Sequence, residues 1–180
     1  LNPDESLPPY SYVPGRFPYP LTDPAGHSYG RTPQRARPLD PQKWQQSREF
    51  CHALQLFDAG YYWEAHEAWE ALWLAAGRTG RDATALKGLI KLAAAGVKAR
   101  EGNAAGVSRH ARRAAELLQT AHLAIGSAAI GRQKDWAGLD LAALAVAAGL
   151  IADDPTHYID TDDVAVKIVF PMKLRKTAPP

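Results

Sequence analysis

The stretch "GYYWEAHEAWEALW", residues 60–73, holds five large aromatics, three glutamates and one histidine within fourteen residues. A glycine opens it, and no proline interrupts it. At roughly 100° per residue its polar groups sort onto one surface. With His66 at zero, Trp73 falls near about −20°, Trp69 near about −60°, Glu70 near about +40°, Trp63 near about +60° and Glu67 near about +100°. Glu64, Ala68 and Ala71 are expected to face away. His66 and Glu70 therefore lie within an aromatic stripe, on the side expected to be buried. A carboxylate in such surroundings must be paired or neutral, because an isolated charge is expensive there. His66 and Glu70 stand one turn apart, so they can pair with each other.

Helical signals extend outward from this stretch. Asp40-Pro41 reads as an N-cap acid followed by proline in the first turn. From there to Gly60 the apolar residues recur at helical spacing. Gly60 reads as a left-handed C-cap. Further helices are predicted over about 61–75, 82–100, 103–124 and 136–150, divided by "AAGRTGRD", "REGN" and "IGSAAIGRQ". A weak repeat superposes the segments around Gly60 and Gly102, with Ser108 falling on His66 and Arg112 on Glu70. It reads as two helical hairpins sharing a scaffold, not a duplicated site.

Residues 1–40 differ in kind. They hold nine of the fourteen prolines and four of the seven tyrosines. Proline forbids regular helix there, while true disorder is poor in aromatics. Two readings stay open: a disordered tail, or an extended arm that wraps the helical body or a neighbouring copy, anchored by Tyr10, Tyr12, Phe17, Tyr19 and Tyr29; the aromatics favour the arm. Residues 151–180 read as an irregular tail, with "VAVKIVF" (164–170) alternating as a short strand or extended segment does. The predicted class is thus all-α: two antiparallel helical hairpins plus a fifth helix over 41–150, flanked by arm and tail.

A net charge of +2 is too small to argue for nucleic acid. The single Cys51 rules out an intramolecular disulfide and a multi-cysteine zinc site. The longest apolar run, Leu141 to Ala152, is shorter than the roughly 18 residues a membrane helix needs. The N-terminus shows no signal-peptide pattern, so a cytoplasmic location is the default expectation. "SRHARR" (108–113) reads as a solvated helix face. Lys87, Lys91 and Lys98 share one edge of the third helix, which reads as a solvated edge before a phosphate site.

"LFDAGYYWEAHEAWEALW" followed by "ALKGLIKLAAAGVKAREGNAAGVSRHARRAAELL" resembles the bacterial, archaeal and plastid family called domain of unknown function 309. The resemblance rests on Gly60, Ala65-His66-Glu67, Glu70 and Trp73, then on the Gly88–Ala93 helix and the Gly102-Asn103 turn. It covers roughly residues 47–120. It implies an all-α domain of helical hairpins and no established activity. Lys91 stands where the family commonly has glutamine or a similar polar residue, within reach of Glu67, Glu70 or an anionic ligand.

Two function classes follow. The leading expectation is a binding or protein-interaction module for a small molecule or protein. Its groove is lined by Trp63, His66, Glu67, Glu70 and Trp73, with Lys91 beside them. It needs no cofactor, and the arm offers a route to a homo-oligomer. The alternative is a small hydrolase or metal-dependent enzyme with His66 as base and Glu70 as its orienter. In the metal version His66 and Glu70 supply two ligands to a divalent ion, and His52 or His110 would be the third.

Overall fold

The computed structural model describes residues 7–32, 35–126 and 135–175. Among them are five α-helices: α1 (Arg48–Asp58), α2 (Tyr62–Ala75), α3 (Gly80–Arg100), α4 (Ala104–Gly126) and α5 (Leu141–Asp153). Two short 3-10 helices, Pro41–Gln46 and Pro155–Tyr158, precede α1 and follow α5. Each α-helix packs on the next in sequence. Short turns force neighbours antiparallel, and two pairs of contacts fix the registers. Tyr62 meets Gly96 and Trp73 meets Lys87 between α2 and α3; Gly88 meets Leu118 and Gly106 meets Lys98 between α3 and α4.

The first predicted helix is split. Asp40 does cap, accepting from the Gln42 N–H at 3.0 Å, but it starts only the 3-10 turn. Ser47 leaves helical geometry (φ −82°, ψ 104°) and its hydroxyl restarts the chain by accepting from the Phe50 N–H. The fifth helix begins later than its composition suggests. Ala137 and Gly138 take positive φ (48° and 76°), and a reciprocal pair of backbone hydrogen bonds closes Trp136–Leu139. Asp140 then caps α5 through the Ala143 N–H at 3.0 Å. Gly138 could be nothing else, since a Cβ there would lie 2.6 Å from the Trp44 ring. Most of the predicted break at "IGSAAIGRQ" (127–133 of it) lies outside the described residues.

The core runs along the whole helical stack, with Trp69, Tyr62, Phe50, Phe57, Leu86, Leu89 and Leu118 fully enclosed. Side chains of this size contribute about 1.5–3 kcal/mol each on burial. Gly96 lets α3 approach the Tyr62 ring, where a Cβ would come within 2.5 Å.

Of the two readings of the tail, the extended one is what the structure shows. No β-strand forms among the described residues, and 164–170 is extended chain. Side chains of the helices replace the missing ladder. The Tyr62 hydroxyl oxygen accepts from the Val169 and Phe170 N–H groups at 3.0 and 3.2 Å. The buried Asp58 carboxylate accepts from the Leu174 and Arg175 N–H groups at 2.7 and 3.0 Å. Arg100, also buried, donates to the Asp162 and Val164 carbonyls at 3.0 and 2.7 Å and to Asp160 Oδ1 at 3.1 Å. Phe170 drops into the core against Phe57 and Tyr62. Gly60, at φ 91°, passes directly under the Lys167 carbonyl, where a Cβ would lie 2.6 Å away.

The described part of the arm lies on its own body. Tyr10 stacks on Phe17, its hydroxyl donates to the Pro18 carbonyl at 2.8 Å, and Val13 is buried. Tyr61 reaches up to donate to the Pro8 carbonyl at 2.8 Å. Tyr29, expected as an anchor, is 54% exposed and anchors nothing. No described helix is long and apolar enough to cross a membrane.

Candidate functional site

Glu64 and His66 stand two residues apart on α2 and have opposite surroundings. Glu64 was expected to face away, and here the structure corrects the wheel: the arm covers that face, and Glu64 is only 7% exposed. Its carboxylate accepts from Ser11 Oγ–H at 2.9 Å, from the Tyr12 N–H at 2.9 Å and from His27 Nε2 at 3.1 Å. Ser28 Oγ sits 2.9 Å from the other ring nitrogen of His27 and fixes the imidazole plane. Charge-assisted bonds of this kind are the strong ones, and here they serve attachment. Trp63, expected in the groove, belongs to the same junction. Tyr12 and Tyr19 pack edge-on against its ring at centroid distances of 5.3 and 5.7 Å.

His66, Glu67 and Glu70 form the other grouping. One donor atom from each lies within 4.8 Å of the others, and all three residues are partly exposed. The aromatic stripe therefore has an open edge: Tyr62 and Trp69 are sealed, while His66 and Glu70 lie at the border. The close contact of the imidazole is with Glu67 (Nδ1 to Oε1, 3.4 Å), one residue on, rather than with Glu70 one turn on. That contact is not a hydrogen bond, and His66 Nδ1 has no hydrogen-bond partner. The indole nitrogens of Trp69 and Trp73 are likewise buried and unpartnered. An unmet buried donor costs about 1–3 kcal/mol, so the two indole N–H groups leave α2 with unmet hydrogen-bonding capacity.

Registers place the neighbours. The Tyr62–Gly96 and Trp73–Lys87 contacts set Lys91 level with Glu67–Trp69 and Ala94 level with His66. The α3–α4 contacts set His110 at the level of Ala94 from the other side. Lys91 makes no ion pair with Glu67 or Glu70 among the described residues; its charge bears on His110. Burial, then Lys91, Arg109, Lys98 and His66 in that order push the His110 imidazole down to about 4. His110 is therefore a neutral imidazole at neutral pH. Lys87 lies over the Trp73 ring, its Nζ 5.2 Å from the centroid, with Arg78 Cζ at 5.9 Å. Among the expected site residues, the structure brings together His66, Glu67 and Glu70, sets Trp73 and Lys91 alongside, and assigns Trp63 to the arm.

Residues 50–110 match the model of the family described as "Domain of unknown function (DUF309)". Over these residues the chain is similar to that family. The match takes in most of α1, all of α2 and α3, and the first part of α4, ending at His110. The matched segment thus contains the whole His66–Glu67–Glu70 cluster and its neighbours on α3 and α4, whereas arm and tail lie outside it. No curated protein matches the chain.

Proposed function

We propose that the matched segment of this chain is a ligand-binding module whose working site is a divalent-cation site formed by His66, Glu67 and Glu70. The observation that carries this reading is the convergence of one imidazole nitrogen and two carboxylate oxygens within 4.8 Å at a partly open edge. Donors around a small divalent ion at about 2.1 Å stand roughly 3.4 Å apart. The cluster must contract by roughly 1 Å to meet that spacing, which rotamer changes at three partly exposed side chains can supply. Imidazole with two carboxylates suits manganese, iron or zinc better than calcium. Three protein ligands leave coordination positions open to solvent or to a bound molecule, as a binding module requires.

Calorimetric titration of the tag-free chain, stripped with chelator, tests the reading. One equivalent of Zn2+ or Mn2+ is expected to bind. Glu70→Gln and His66→Ala are each expected to weaken binding by at least tenfold. Binding of less than about a tenth of an equivalent to the wild-type chain, or wild-type affinity in both variants, overturns it.

A further inference from the structure

The cations beside this cluster have no use in holding a metal ion. Lys87, Lys91 and Arg78 form no ion pair with any described residue, although Glu67 is level with Lys91 on the adjacent helix. By contrast, Lys98 on the same helix is engaged by both Glu101 oxygens at 2.8 and 2.6 Å. Lys87 and Lys91 are one turn apart, so their stems rise from the same side of α3. The Trp73 ring lies beneath Lys87, and its indole N–H is a buried donor with no acceptor. Ammonium groups and an indole N–H are all donors. What would satisfy them together is an acceptor with several oxygens and negative charge.

We infer that the α2–α3 seam is an oxyanion site, in which a carboxylate or phosphate group is held by Lys87 and Lys91 and completed by the Trp73 indole N–H. The site stands beside the His66–Glu67–Glu70 cluster and does not depend on a cation there.

The test uses the full chain in metal-free buffer, isotopically labelled so that the five indole N–H signals can be followed. Inorganic phosphate and acetate are titrated separately, with chloride holding ionic strength constant so that general screening is matched. The Trp73 indole signal is expected to shift saturably. Lys87→Gln and Lys91→Gln are each expected to weaken binding about tenfold, the loss of one charge-assisted contact. Saturation by phosphate but not acetate assigns the phosphate class; the reverse assigns carboxylates. A shift that stays linear in both ions, or one that neither lysine substitution changes, overturns the inference. Because no metal is present, neither result depends on the outcome of the cation titration.

Discussion

Two histidine–glutamate groupings meet α2 within one turn, and they differ in what they have been given to bind. At Glu64 both carboxylate oxygens have donors: a serine hydroxyl, a backbone amide and an imidazole, all from the arm. At His66, Glu67 and Glu70 the donors and acceptors converge without satisfying one another, and His66 Nδ1 and the Trp69 and Trp73 indole nitrogens stay unpartnered. The same residue types thus serve attachment where the protein supplies the partners, and remain open for a ligand where it does not. Residue chemistry alone does not separate a structural pair from a site; saturation of its hydrogen-bonding capacity does.

The sharpest way to break this contrast is Glu64→Ala. It leaves Ser11, the Tyr12 amide and His27 without their acceptor in a buried place, and about 3 kcal/mol of stability is expected to go with it. Urea unfolding reads the loss, and limited proteolysis should then cut first within residues 7–30. A loss under about 1 kcal/mol would mean the junction is not the fastening described. A smaller effect belongs to the open side and appears with pH. The His110 imidazole is held at about 4 in the folded chain, below its usual value of 6.5. As pH falls, the unfolded chain takes up the proton first. The stability is therefore full above about pH 6.5, declines as pH drops towards about 4, and is flat below that. Allowing for solvent screening at this partly exposed ring, the decline is about 1–2 kcal/mol. His110→Gln should remove it, as unfolding midpoints at about pH 7.5 and about pH 4.5 will register. The smallest effect is the most telling for the contrast. Glu67→Gln and Glu70→Gln are expected to shift stability by no more than about 0.5 kcal/mol, as surface substitutions do. A loss at Glu70 comparable to that at Glu64 would erase the distinction.

What the sequence made legible was whatever is local. Helices α2, α3 and α4 followed from periodicity and from the turns at Gly60 and Gly102, because both signals act within a few residues. His66, Glu67 and Glu70 were legible as a grouping because one helix carries all three. The role of Glu64 was not, since its partners lie 37 to 53 residues away on a segment without periodicity. For the same reason Asp58, Tyr62 and Arg100 gave no sign that they hold the tail, over separations of 60 to 117 residues. At 164–170 the alternation left a strand and an extended segment both open, and the extended segment forms because that chain found side chains, not a neighbouring strand, to bond to. Trp63 was misplaced because a helix wheel has no knowledge of a second chain segment lying across it.

The amide of Ser11 donates to the carbonyl of Ala165 at 2.9 Å, so arm and tail touch across the turn between α1 and α2. Closing a loop of that length is entropically costly, and the cost must be met before the contact returns anything. The helical stack can assemble from neighbours in sequence, whereas the two ends can only settle on a surface that already exists. They therefore join last and part first. Because they are fastened to each other as well as to the helices, slackening one segment is expected to loosen the other, so that arm and tail are released together.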